Sequence, residues 1–363
     1  MSLTTSVTEP LSVSLVDELK ASAARTARSG TPDTEALALL RRSGLCAAWE
    51  TGESVNRVVE EIATANPSLA IVLFQHCAVA ARIAEWGSDA QKETLLPALS
   101  SGAVLAASAW SEPGAGAAKK VLATSAVRRA WGWVLDGGKS FTTGAGIADL
   151  YLVLVQTAAP GEDTESVYGS AGQSFFLVSG DNPGLVPDLG LDLAGMRGSA
   201  TGFVTLKDCV VADTDLLGPL GEAPKIIAGV RRTGATLGAV SAGIARAALS
   251  LAEDHLARAG KLSSQSVRHQ LVDLGVQVEA ACSTVARAGS LSSADPGMTT
   301  LRSKLFATVV AEHVCLEVAR LLSSTGYVVG NRINQLLADA RAVALMGPAN
   351  ELCRELVAAP WLR

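Results

Sequence analysis

Two short stretches decide how this chain is read: Ser111-Glu-Pro-Gly-Ala-Gly116 and, further along, Gly138-Lys-Ser-Phe-Thr-Thr143. Taken alone, the first is a turn, because Pro113 fixes φ and the glycines tolerate the left-handed region. The second is a strand, with aromatic and β-branched residues suited to a pleated surface. Around them, from about 106 to 213, lie short β-type runs at Trp131–Leu135, Leu150–Val155, Phe175–Val178 and Phe203–Leu206, separated by Gly, Pro, Asp and Ser. Asp136-Gly137-Gly138 is a turn signal between two of the strands, and Pro160-Gly-Glu-Asp-Thr-Glu-Ser166 is a polar surface loop. The expectation is a small, mostly antiparallel β domain.

Working outward, both flanks are helical. Leu15, Val16, Leu19 and Ala23, then Leu37, Leu39, Leu40 and Leu45, then Val58, Val59, Ile62 and Ala63 recur at three- and four-residue spacing. Ser88-Asp-Ala-Gln91 has the form of a capping box opening a further helix that ends near Pro97. Beyond about 224, Ala/Leu/Val-rich stretches at Ala239–Ala259, Gln270–Ala288, Thr300–Ser323 and Gln335–Leu345 are broken by Gly260–Ser264 and Ser290–Gly297, the pattern of an antiparallel four-helix bundle. The fold class is therefore α+β, divided as 1–105 (helical), 106–215 (antiparallel β) and 216–363 (helical bundle).

The bulk numbers narrow the function. Hydrophobic residues make up 48% of the 363 but aromatics only 4%, and mean hydropathy is +0.30, which favours extensively buried Ala-rich helices over a disordered chain and leaves apolar surface for an oligomer interface. A net charge of −5 and isolated Arg pairs at Arg41–Arg42, Arg128–Arg129 and Arg231–Arg232 give no basic field for nucleic acid. Six scattered cysteines form no metal-ligand spacing and read as buried thiols in a reducing compartment. The N-terminus lacks the pattern of a secretion signal, and no run of about eighteen apolar residues is evident, so the sequence reads as cytoplasmic and independent of membranes. His76, His255, His269 and His313 are scattered, with no triad or metal spacing, and the glycines form no phosphate-binding loop.

The order of four motifs supplies more. Ser111–Gly116 resembles the Thr-Glu-Pro-Gly-Ala-Gly signature of acyl-CoA dehydrogenases, and Gly138–Thr143 resembles that family's Gly-x-Lys-x-Trp-Ile-Thr. Leu193-Ala-Gly-Met-Arg-Gly-Ser199 resembles its late β-domain Leu-Gly-x-Arg-Gly-Ser. Asp339-Ala-Arg and Asn350-Glu351-Leu-x-Arg354 resemble its C-terminal Arg-Asp-Ala and Thr-Asn-Glu-Ile-x-Arg. The resemblance spans most of the chain. It implies the acyl-CoA dehydrogenase fold and a flavin, FAD in the first instance, bordered by Ser108, Trp110, Ser111, Gly116, Ala117, Phe141, Thr142, Thr143 and Glu351. In this reading Glu112 is structural.

Departures from the family pattern matter as much. Dehydrogenation of an acyl thioester needs a base for the α-proton. By resemblance its two usual locations fall at Gly347, followed by Pro348-Ala349, and at Thr233, followed by Gly234, so both are vacant and no catalytic residue is assigned; Glu351 is the nearest carboxylate in sequence. The contacts expected around the adenine half of FAD fall at Ala259, Leu262, Ser263, Arg320, Ser323, Ser324 and Gly326, of which only Gly326, with Gln270, is retained; Arg258 or Arg320 remains as a phosphate partner.

Three functions stay open. The first is a flavin-dependent oxidoreductase acting on an acyl thioester of CoA or of an acyl carrier protein. The second is a monooxygenase on the same fold, which needs no such glutamate and for which FMN or loosely bound reduced flavin suffices. The third is a non-catalytic subunit in a heteromer with another acyl-CoA dehydrogenase-like chain, as opposed to a homo-oligomer.

Overall fold

A computed structural model describes residues 11–114, 116, 119–159 and 168–362. Five helices come first: α1 (Val13–Ser29), α2 (Thr34–Arg42), α3 (Gly52–Ala65), α4 (Pro67–Trp86) and α5 (Asp89–Ser100). Each opens on a capping residue. Ser12, Asp33, Thr51, Asn66 and Ser88 precede them, and each side chain accepts a backbone N–H of the first turn. Ser88 and Gln91 complete the capping box, although α5 runs three residues past Pro97.

Eight strands follow: β1 (Ala106–Ala109), β2 (Ser125–Arg129), β3 (Gly132–Thr142), β4 (Leu150–Gln156), β5 (Gln173–Ser179), β6 (Leu185–Asp188), β7 (Gly202–Val211) and β8 (Leu216–Leu217). They form one sheet in the order β6-β7-β3-β2-β4-β5-β8, with β1 on β4. Most pairings are antiparallel, but β1 and β2 both run parallel to β4, so the sheet is mixed rather than antiparallel throughout. The Asp136-Gly137-Gly138 signal is also corrected: it lies inside β3, where the register against β7 slips between Leu135 and Gly137. Gly137 has φ +141°, and a Cβ there would stand 2.6 Å from the Thr124 Cα. Close strand approach, not chain reversal, is what the glycine serves. The polar stretch 160–166 lies outside the described residues.

The second helical set is α6 (Ala223–Val230), α7 (Gly238–Arg258), α8 (Gln265–Gly289), α9 (Pro296–Leu321), α10 (Arg332–Leu345) and α11 (Asn350–Ala358). α7 to α10 pack with α1, α3 and α4 in one core. The small residues of α7 let it pack closely on α3, because a Cβ at Gly243 would stand 2.2 Å from the Glu60 carbonyl oxygen. By length and hydropathy, α4 and the stretch 223–258 would suit a membrane span, but 78% and 67% of those windows are buried within the protein.

Alternation along β4 joins the layers. Tyr151, Val153 and Val155 face one core with Trp133 and Phe176. Leu150, Leu152 and Leu154 face the other, with Val79 and Ile83 of α4 and Ile226 and Ile227 of α6.

Candidate functional site

The two motifs that opened the sequence reading are bonded to each other. Ser140 N–H donates to the Ser111 carbonyl at 2.8 Å. Lys139 Nζ lies 2.5 Å from Glu112 Oε1, with both side chains at most 2% exposed. Glu112 further accepts from the backbone N–H groups of Ala123 (2.6 Å) and Thr124 (3.2 Å). Burial alone would push the Glu112 carboxyl up, but the charge and hydrogen bonds of Lys139 and those N–H groups hold it below its ordinary value. Burial pushes Lys139 down to about 8 against the opposing pull of Glu112. Glu112 is thereby saturated with structural partners.

This brace sits behind a cavity of about 560 Å³ between the sheet and the helices. Ser108, Trp110, Ser111, Phe141 and Thr143 line its sheet side together. Phe141 has φ +52°, rare for a bulky residue, where β3 slips register between Lys139 and Thr142. Such a conformation costs about 1–3 kcal/mol and persists where surrounding structure enforces it. Its result is a phenyl ring 65% exposed at the cavity, 6.4 Å from the Phe203 ring. Thr143 Oγ1 pairs with Thr201 Oγ1, which pairs in turn with Ser199 Oγ. Thr142 is buried behind the wall, and its hydroxyl, like the indole N–H of Trp110, is buried with no hydrogen-bond partner among the described residues.

The other expected site residues are placed differently. Gly116 lies in an exposed turn off the cavity, and Ala117 lies outside the described residues. Glu351 lies in the first turn of α11 with its side chain 79% exposed, paired with Arg354 at 3.0 Å and absent from the cavity lining, so within one chain it neither borders the ring site nor reaches the substrate space. Gly347 does line the cavity. Thr233 lines a second cavity of about 490 Å³, beyond α4 and α6.

On the helical side, the loop that would carry a base is organised around a buried lysine. Lys304 Nζ donates to the carbonyl of Pro348 (2.8 Å) and to Asn350 Oδ1 (2.9 Å), with the Ala344 and Met346 carbonyls at 3.3 Å. Burial pushes this ammonium down to about 8. Asp339, wholly buried on α10, accepts the Met196 N–H at 2.6 Å and so fastens the 193–196 segment to the helix; burial pushes its carboxyl up to about 7. No Asp, Glu or His stands among the described residues that line the larger cavity, whereas Arg82, Lys119, Arg231 and Arg341 do. None of these four was among the residues expected from sequence. Arg82 did leave a signal, as a charged residue in the apolar run of α4.

The three parts of the chain match three models of one family: residues 53–103 the acyl-CoA dehydrogenase N-terminal domain, 107–209 its middle domain and 227–362 its C-terminal domain. The chain belongs to the acyl-CoA dehydrogenase superfamily. Its sequence is 28% identical to cyclohexane-1-carbonyl-CoA dehydrogenase of Geobacter metallireducens, over 98% of this chain and 97% of that protein. Among solved structures, butyryl-CoA dehydrogenase from Megasphaera elsdenii superposes with a TM-score of 0.79 at 24% identity, covering 98% of this chain and 100% of that one. The FAD complex of PigA does so with a TM-score of 0.81 at 20% identity, covering 97% and 98%.

Against this family frame, the positions expected around an adenine moiety have local uses. Arg320 pairs with Glu317, and Arg258 Nε donates to the Asp254 carbonyl, both at the surface. Gly326 is there for close packing, since a Cβ would stand 2.2 Å from the Ala319 carbonyl oxygen. Gln270 is exposed on α8. The sheet wall, by contrast, fits a flavin ring: it offers an exposed aromatic face, two hydroxyls and two buried polar groups without hydrogen-bond partners among the described residues.

Proposed function

We propose that this chain is a flavin-dependent oxidoreductase of the acyl-CoA dehydrogenase type that acts on an acyl thioester carried by coenzyme A or an acyl carrier protein. The observation that carries the reading is the sheet wall of the cavity, where Phe141, Trp110, Ser111 and Thr143 converge on one space braced from behind by Glu112 and Lys139. In this reading Phe141 supports the isoalloxazine face, and Ser111 and Thr143 hydrogen-bond its edge. When bound, the flavin supplies a two-electron acceptor for the substrate's β-hydrogen. Phe74 and Ala78 of α4 with Ile227 and Val230 of α6 give an apolar wall that seats the acyl chain and excludes water. FAD is the cofactor form we propose. Its adenine half would rely on contacts other than the family's usual ones, with a second subunit as their source. Val272 and Val276 on α8 and Phe306, Val309 and Leu316 on α9 are exposed apolar residues that suit such an assembly.

The lack of any carboxylate among the described lining residues favours a second reading, in which this chain does not itself remove the α-proton and serves as an oxygen-using relative or as the structural partner of an active subunit. Visible absorption of the purified chain, followed by anaerobic addition of acyl-CoA thioesters, separates the two. Stoichiometric flavin bleached by an acyl-CoA supports the dehydrogenase. A colourless protein, or flavin that never bleaches, supports the second reading.

A further inference from the structure

Arg82 stands out among the cavity residues. It rises from α4, is 3% exposed, and belongs to the walls of both the larger cavity and the second cavity behind it. Its one ion-pair partner among the described residues is Glu85, at 3.3 Å from NH2, and the Glu85 side chain is 39% exposed. Nε and NH1 are buried with no hydrogen-bond partner among the described residues. A guanidinium presents five N–H donors in a planar fork suited to a carboxylate, and burying it half-satisfied is costly. The larger cavity offers no acidic side chain among its described lining residues to complete the set.

Building on the acyl-thioester reading above, we propose that Arg82 receives a carboxylate at the far end of the acyl chain, so that the thioesters bound here are monothioesters of dicarboxylic acids. The position argues for the acyl end over the phosphates of the carrier. Those phosphates must stay near solvent, where Arg341 is exposed and Arg231 half-buried on the same cavity wall, whereas Arg82 is almost wholly covered. Nε–H and NH1 sit on opposite edges of the guanidinium, so the bidentate, charge-assisted pair would form end-on through NH1 and NH2 or side-on through Nε and NH2, with NH2 shared with Glu85 at 3.3 Å.

The test is isothermal calorimetry on the full chain as purified, titrated with succinyl-, glutaryl- and adipyl-CoA, with butyryl-, valeryl- and hexanoyl-CoA, and with CoA alone. At one chain length or more the acidic thioester should bind at least about 10-fold more tightly than its neutral counterpart. Arg82→Gln should weaken the acidic ligands by about 10–100-fold and leave the neutral ligands and CoA within about threefold. Arg82→Lys should restore part of the difference. Flavin content and melting temperature verify that the variants fold, and the wild-type preference stands as a test even if they do not. Neutral thioesters binding as tightly as acidic ones at every length would overturn the proposal and leave the acyl-thioester function intact. So would an equal loss for neutral ligands or CoA in Arg82→Gln. If no acyl-CoA of either kind binds, the functional reading falls as well.

Discussion

The sheet side and the helical side of the cavity differ in what they keep of the family pattern. On the sheet side, the Ser-Glu-Pro-Gly and Gly-Lys-Ser-Phe motifs are intact and bonded through Glu112 and Lys139, and they present Phe141 to the cavity. On the helical side, the two positions to which the resemblance assigns the base are Gly347 and Thr233, and the loop around the first is organised on an ammonium, Lys304. A cofactor wall and a proton-transfer wall can therefore diverge separately. The first depends on buried pairing that a single change disrupts, whereas the second depends on one side chain that the fold does not need.

That contrast can be broken from either side. The largest effect on stability should come from Lys139→Met, which leaves Glu112 buried and charged without its partner. Denaturant unfolding should report a loss of about 3–5 kcal/mol, with flavin lost in parallel, and a change under 1 kcal/mol would show that the brace is not structural. Phe141→Ala should weaken flavin binding by roughly 10-fold, in line with the worth of one aromatic contact. Because the ring is 65% exposed, the melting temperature of the flavin-free chain should hardly move. The smallest effect is a pH trend at Asp339. With its carboxyl raised to about 7 by burial, the folded state holds this proton between about pH 4 and 7 while the unfolded state releases it, so the contribution of Asp339 to stability declines as pH rises through that window. In Asp339→Asn the decline should be shallower, and the stability difference between variant and wild type should shift in the variant's favour from pH 4 to pH 7. Parallel curves would remove Asp339 as the cause.

Much of this was legible in the sequence because the deciding features are local. The capping box at Ser88 and the glycine break at Gly260 act within a turn of where they are read. Features that depend on a distant neighbour were not legible. Ala106–Ala109 has no β-branched or aromatic residue, and becomes a strand because β4 supplies its partner. Asp136-Gly137-Gly138 carries the composition of a turn, and only the crossing at Thr124 makes it a bulge. In the site, Ser111 and Phe141 could be identified by motif. Arg82 and Lys304 belong to no motif, and Arg341, though it closes the Asp339-Ala-Arg stretch, was not read as a site residue; folding is what brings α4, α9 and α10 together there.

If a flavin wall faces a position emptied of its base, Gly347→Glu should put that base back. A Cβ at Gly347 meets nothing within 4 Å, so the fold has room for the side chain. Wild type and variant, both flavin-loaded, would be mixed anaerobically with an acyl-CoA and followed by rapid-scan absorption. Flavin content should be equal in the two, and reduction at least about 100-fold faster in the variant, the usual worth of a placed general base. Fast bleaching in wild type with no gain in the variant would contradict the vacant base while leaving the dehydrogenase reading in place, and would mean that a group outside the described lining already removes the proton.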